Sequence, residues 1–258
     1  MSTARQSLAR RPRRPPSPSI RVLSYDYPTG HRVEPHRHDE HQLLFAASGV
    51  MTVHTPAGSW IVPPHRGVWI PARMEHSIRM SGAVAMRTLY IPCALARNLP
   101  QSCRVLDVPP LLRELVLAAV ARGGLDPAVR ADANLFRLLV DQLRTLPIAA
   151  FHLPFPRDPR ALRVANRLDR EPGEPSSVHD LARGSGASQR TIERVFRAET
   201  GMSFGAWRQQ LRLSRALEQL AAGDSVTAVA MDSGYSSASA FVAAFKATFG
   251  RTPGRYFR

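Results

Sequence analysis

The period of the hydrophobic positions changes part-way along the chain, and the change divides it. Between residues 20 and 92 the apolar residues come in short runs (41–47, 50–54, 60–62, 68–70 and 86–91), separated by Gly and Pro turns. Runs of this length and spacing predict β-strands arranged as a small barrel or sandwich. After Pro100 the apolar residues recur every three or four positions. Leu111, Leu112, Leu115, Val116 and Ala119 predict one helix that stops at Gly123-Gly124, and Leu135, Leu138, Leu139 and Leu143 predict a second that ends before Pro147. Two helices with a short connection predict a hairpin over 101–147. The four prolines of 147–159 mark 148–157 as a linker.

From Asp158 onward the pattern is helical throughout. Asp158-Pro159 opens the first helix, and Ser177, Ser188 and Ser237 stand where helix caps belong. A long helix is expected over 204–222, ended by Gly223, with a short one over 226–232 and a last turn at Pro253. The expected fold is α+β: an N-terminal β-barrel over 20–100, a helical hairpin, and an all-α unit over 158–258.

At 258 residues with 44% hydrophobic residues, the chain can bury a real core. No apolar run approaches the roughly 20 residues of a membrane span, since Arg113 and Glu114 interrupt 109–120. The N-terminus is basic but lacks the apolar segment of a secretory signal. Two cysteines, Cys93 and Cys103, exclude a disulfide scaffold and fit a reduced cytoplasmic protein. Neither has a basic or metal-binding neighbourhood, so both are expected to be buried thiols.

Charge changes the picture more. Lys plus Arg is 35 against 20 Asp plus Glu, and Lys246 is the only lysine. Residues 1–21 carry six arginines and no acid, 22–156 carry 13 basic against 10 acidic residues, and 157–258 carry 16 against 10. The basic ends point to nucleic acid and the balanced middle to a different task. Residues 1–19, with Arg10-Arg11-Pro12-Arg13-Arg14-Pro15-Pro16, are expected to be a disordered basic arm.

The helical unit repeats itself. Residues 178–196 and 226–245 each contain a short helix, a glycine turn, a serine cap and a second helix with an aromatic-ended apolar face. Both continue alike, as Phe196-Arg-Ala-Glu-Thr-Gly201 and Phe245-Lys-Ala-Thr-Phe-Gly250, about 48 residues apart. In the first unit Ile192, Val195, Phe196 and Glu199 share one helix face, which leaves Gln189, Arg190, Glu193, Arg194 and Arg197 outward. Arginine can bind guanine through two bonds, glutamine adenine, and glutamate the cytosine amino group.

The last hundred residues resemble the DNA-binding domain of AraC/XylS-type transcription regulators. The resemblance rests on 188–204, on Arg212-Leu-Ser-Arg-Ala-Leu217, on 233–246, and on Gly250-Arg-Thr-Pro-Gly-Arg-Tyr256. It implies two helix-turn-helix units joined by one rigid helix, with double-stranded DNA as a partner and RNA polymerase as a further candidate. The stripe Leu135, Leu138, Leu139 and Leu143 is too long to need only the barrel as a partner, and so predicts a homodimer through the second hairpin helix. In the second unit Phe241, Phe245 and Phe249 point inward and Ala238, Ser239, Val242, Ala243 and Lys246 outward, so little there can bond a base edge. Phosphate contact through Ser237 and Lys246 is the expected role, with Ser188 at the equivalent cap of the first unit.

Residues 30–49 resemble the first motif of the cupins: Gly30, then His36 and His38 one residue apart, then Gln42 where that motif has glutamate, then Gly49. A looser second motif, Pro71-Ala-Arg-Met-Glu-His76, has Arg73 in place of glycine, and Met80 stands where asparagine is expected. Strand alternation puts His36, His38 and Gln42 on one face and His41, Leu43 and Phe45 on the other. With His76 on a neighbouring strand, these four residues form the expected effector site, and a divalent transition metal is the candidate cofactor. His65 falls at the rim of such a pocket or outside it. Trp60 and Trp69 are expected in the core.

The resulting expectation is a sequence-specific transcription regulator that responds to a small-molecule effector or metal, and not an enzyme. One alternative is a metal-dependent cupin oxygenase or isomerase, disfavoured by Gln42 and by the attached DNA-binding domain. The other is a constitutive DNA-binding protein whose barrel is structural only.

Overall fold

The computed structural model describes residues 19–64, 66–97, 99–145 and 152–257. The basic arm, apart from Ser19, lies outside the described residues, and so does His65.

The β-domain is an eight-stranded antiparallel sheet folded over on itself. Its strands are β1 (Arg21–Tyr27), β2 (Arg32–His36), β3 (His41–Thr55), β4 (Gly58–Val62), β5 (Arg66–Ile70), β6 (His76–Ile91), β7 (Arg104–Asp107) and β8 (His152–Pro154). β3 and β6 pair along most of their length. The first half of β3 also pairs with β5 and the second with β4. β6 takes β2 on its first half and β1 on its second. The two runs expected at 41–47 and 50–54 are thus one bent strand, with its register shifts around Ser48. The bend uses Gly49 at φ +70°, where a Cβ would stand 2.6 Å from the Ala83 carbonyl.

Alternation along the strands separates two apolar faces. Leu44, Ala46, Met51, Val53, Val62, Val68, Ile70, Ile78, Met80, Val84 and Met86 fill the space between the folded halves. Trp60 belongs to this interior and Trp69 to the opposite face, both in the core as expected. On that outer face Leu43, Phe45, Trp69, Leu89 and Ile91 receive the helical hairpin, α1 (Pro110–Ala121) and α2 (Arg130–Thr145).

Four expectations need correction. The hairpin starts at Pro110 rather than 101, because β7 extends the sheet beside β5. Leu139 and Leu143 are buried against the β-domain, so the outward part of the α2 stripe is Leu138 with half-buried Leu135. The stretch read as a bare linker contains β8, which pairs with β4 and buries Leu153. Cys93 is exposed, in a short 3-10 turn. Cys103 is buried, and burial pushes its thiol up to about 12.

The C-terminal unit comprises α3 (Pro159–Arg170), α4 (Val178–Gly184), α5 (Gln189–Thr200), α6 (Phe204–Ala222), α7 (Val226–Asp232), α8 (Ala238–Phe249) and α9 (Pro253–Tyr256). Asp158 caps α3, and Ser177, Ser188, Ser203, Ser225 and Ser237 cap α4 to α8, each side chain accepting a backbone N–H. The two halves have separate cores. Val164, Leu168, Leu181, Ile192, Phe196, Trp207 and Leu211 form the first. Leu213, Leu217, Val229, Phe241 and Phe245 form the second. α6 serves both, with Trp207 and Leu211 in one and Leu213 and Leu217 in the other. Among the described residues no helix is long and apolar enough to cross a membrane.

Candidate DNA interface and histidine centre

The two helix-turn-helix units differ in what they present. On α5 the apolar Ile192, Val195 and Phe196 are buried, which leaves Gln189, Arg190, Glu193, Arg194 and Arg197 exposed as the periodicity requires. Arg190, Arg194 and Arg197 have no ion pair or side-chain hydrogen bond among the described residues. Gln189 Nε2 donates to Glu193 Oε1 at 2.9 Å, so these two restrain one another. Glu199 accepts from the backbone N–H groups of Arg157 (2.5 Å) and Asp158 (3.0 Å), and so anchors the start of α3. On α8, Ser239, Ala243 and Lys246 are exposed, but Ala238 and Val242 are half-buried against the Phe241 and Phe245 core. That corrects the expectation that all five face outward. Ser188 Oγ accepts from Thr191 N at 3.2 Å and Ser237 Oγ from Ala240 N at 3.1 Å.

The histidines converge, though not by strand alternation. β2 ends at His36 and β3 begins at His41, so a bend, not a continuous strand, carries His38. His36 is the register partner of His76, the first residue of β6. One ring nitrogen each from His36, His38 and His76 lies within 4.8 Å of the other two. The loop before His76 is tied to this bend: Arg73 N donates to His38 O at 2.8 Å, with Arg73 at φ +63°. The cupin motif has glycine at that position, and the left-handed backbone is the physical reason.

Each histidine has its Nδ1 on a backbone carbonyl: His36 on Glu34 (2.8 Å), His38 on Glu40 (2.6 Å) and His76 on Met74 (2.9 Å). An Nδ1–H donated to a carbonyl fixes the tautomer and leaves the Nε2 lone pair free, which is how metal-ligating histidines are held. His76 Nε2 is buried with no partner, an orphaned acceptor aimed into the cluster. Burial lowers His76 to about 4, so it is neutral at physiological pH and able to bind a cation. Gln42 Oε1 lies 3.0 Å from His38 Nε2 and completes the expected set. The residues therefore fit a transition metal. His41 is the bystander that alternation assigns it to be: it stacks on Trp69, and its Nδ1 accepts from Ala72 N.

A profile described as the AraC-like ligand binding domain matches residues 17–150, and one described as a helix-turn-helix domain matches 181–258. Over 222 residues the chain is 36% identical to the HTH-type transcriptional regulator NimR of Escherichia coli K12, which covers 86% of this chain and 81% of that one. This chain belongs to the AraC family of transcription regulators. The regulatory protein SoxS of Salmonella typhimurium LT2 is 32% identical over 90 residues, 34% of this chain and 84% of SoxS. A crystal structure of ToxT from Vibrio cholerae with bound unsaturated fatty acid aligns over 95% of this chain and 96% of that one, at 13% identity and a TM-score of 0.38.

In this AraC-family chain the β-domain rests directly on α6. Val50 and Ile61 join the core of the second helix-turn-helix unit. A Cβ on Gly82 would stand 2.2 Å from the Ala221 carbonyl, so the turn within β6 touches the end of α6. From β8, His152 O accepts from Gln210 and Pro154 O from Trp207. At the centre of this contact Glu218 accepts from Arg79 Nη2 (2.7 and 2.8 Å), from Arg215 Nη1 (2.7 and 3.0 Å) and from the Thr52 hydroxyl. Arg215 also binds Asp169 at 2.5 Å. Burial raises Asp169 to about 6, with Arg79 pulling against it and the Glu218 carboxylate adding to it. No motif announces this cluster. The available signal is an acid, Glu218, amid the apolar Leu213, Ala216, Leu217 and Leu220 of α6. Arginines 208 and 212 are likewise committed inside the fold, to the carbonyls of Glu174, Ser176 and Pro172.

Proposed function

We propose that this regulator binds a divalent transition-metal ion through His36, His38, His76 and Gln42, and that the ion sets its affinity for operator DNA. The observation that carries this is the meeting of three histidines whose Nδ1 atoms are all engaged, with the Nε2 of His76 buried and unpartnered. The filled space between the sheet halves supports an ion over an organic effector, since Leu44, Met51, Met80 and Met86 occupy the volume a sugar-sized molecule would need. When bound, the ion would tie β2, the bend after it, β3 and β6 together. His76 stands three residues before Arg79 on β6, with Arg79 on Glu218 of α6, so the centre and the DNA-binding unit share one strand.

We read the centre as a sensor rather than a catalyst, because it is attached to a DNA-binding unit and Gln42 stands where the cupin motif has glutamate. The regulator works in the cytoplasm and binds DNA as a homodimer. Exposed Leu111 and Leu138, with half-buried Leu115 and Leu135, form the apolar surface of the hairpin that supports this. Base contacts come mainly from Gln189, Arg190, Glu193 and Arg194 of α5, while α8 holds phosphates through Ser237 and Lys246.

Metal analysis of untagged protein purified without chelator, followed by operator gel shifts with and without added Co(II) or Zn(II), tests the proposal. Stoichiometric metal and a metal-dependent shift are expected. Metal-free protein with an unchanged shift at saturating ion would overturn it.

A further inference from the structure

Gln42 and Thr88 are both buried, and their side chains meet. Gln42 Oε1 faces His38 Nε2 at 3.0 Å, and Gln42 Nε2 lies 3.1 Å from Thr88 Oγ1. Thr88 determines which end of the amide faces which neighbour. Its hydroxyl has one proton and lies 3.2 Å from the Leu43 carbonyl, which can only accept. Thr88 therefore donates to Leu43 and accepts from Gln42. That turns the amide NH2 toward Thr88 and its oxygen toward the histidines.

His38 then has an acceptor oxygen at both ring nitrogens, Glu40 O at Nδ1 and Gln42 Oε1 at Nε2. A neutral imidazole has one N–H and can satisfy one of them. A cation at Nε2 removes the conflict. Nδ1 keeps its proton for Glu40, and Nε2 and Oε1 both turn lone pairs to the ion, alongside His76 Nε2.

We propose that Thr88 is a positioning residue that makes Gln42 Oε1 the fourth ligand of the histidine centre. The inference rests on the metal-binding function proposed above. An amide oxygen is a weak, uncharged ligand, and an amide free to turn presents its NH2 to the ion for part of the time. Thr88 removes that alternative with a single accepted hydrogen bond. The chain Leu43–Thr88–Gln42 is thus an outer-shell support of the kind that orients metal ligands elsewhere.

Co(II) titration of full-length protein, read by visible absorption, tests this. Thr88→Val is expected to weaken Co(II) binding by about 10–100-fold and to change the absorption bands, while Thr88→Ser keeps the wild-type affinity and spectrum. Gln42→Glu places an oxygen toward the ion whichever way it turns. Adding Thr88→Val in that background is therefore expected to cost less than about 3-fold. A merely structural Thr88 would lower affinity equally in both backgrounds, and that result, or an undiminished Thr88→Val protein, overturns the proposal. Should Thr88→Val not fold, Thr88→Ala is read in the same way. Wild-type protein that takes up no Co(II) instead refutes the metal-binding function itself, which keeps the two failures distinct.

Discussion

Removing the Glu218 carboxylate is expected to uncouple the β-domain from the DNA-binding unit. Glu218 is 8% exposed and binds two guanidinium groups and the fully buried Thr52 hydroxyl. Breaking a buried ion pair by deleting one partner costs about 3–5 kcal/mol, because the other charge is left without compensation. Two features place Glu218→Ala near the lower end. The Arg79 side chain is 28% exposed and can rehydrate, and Arg215 retains Asp169. The Thr52 hydroxyl loses its acceptor, which adds to the cost. About 3 kcal/mol is therefore expected, concentrated on the contact between α6 and strands β3 and β6. The tryptophans allow the two sides to be read separately, since Trp60 and Trp69 lie in the β-domain and Trp207 in the helical unit. In denaturant titrations of single-tryptophan variants, the two transitions should coincide in the parent and separate in Glu218→Ala. Replacing Arg79 and Glu218 together by Met should restore much of the loss. Coincident transitions within about 1 kcal/mol of the parent would show that the apolar contact of Val50 and Ile61 couples the domains without the ionic cluster.

Arg194→Ala should cost about 1–3 kcal/mol of operator affinity and relax the preference at one base position, as read by randomised-site selection. Lys246→Ala should weaken binding about evenly across sequences and lower the salt slope by about one, so selected sites should carry most of their information under α5. Leu138→Glu should yield folded monomers whose melting temperature no longer depends on protein concentration, whereas Leu139→Glu should unfold the hairpin by placing a charge in the core; sedimentation together with melting separates the two. Asp169 has a folded-state pKa of about 6, above its unfolded value of 3.8, so the native state binds this proton more tightly. Its unfavourable contribution is fully present above about pH 6 and is relieved as pH falls toward 4. Asp169→Asn should therefore flatten the stability–pH curve in that window by at most about 3 kcal/mol, and an unchanged curve would show that Arg215 cancels the effect of burial.

The helical unit was legible because its signals are local. Serine caps, terminal glycines and the three-to-four spacing of Ile192, Val195 and Phe196 each act within one or two turns, and the repeat states them twice. The β-domain was legible only where a strand has one strongly apolar face. β2, Arg32-Val-Glu-Pro-His36, is largely polar and exposed, so nothing in its composition separates it from a loop, and β1 carries Val22, Leu23, Tyr25 and Tyr27 but buries none of them fully. The histidine centre was found by motif, although the alternation offered for it assumed a strand that the chain does not form between His36 and His41.

The sequence by itself determined the two helix-turn-helix units, the outward face of α5 and the meeting of His36, His38 and His76. All of these follow from near-neighbour spacing or from one recognisable motif. Tertiary structure alone decided which face of α2 is buried, that β8 joins the sheet, that Thr88 orients Gln42, and that Glu218 receives Arg79 from the β-domain. These depend on partners 46 and 139 residues away in the chain, or on which of two apolar faces finds a surface to cover. A side chain's own neighbours carry no record of such a partner, because burial and hydrogen bonding are set by what packs against the element after it has formed.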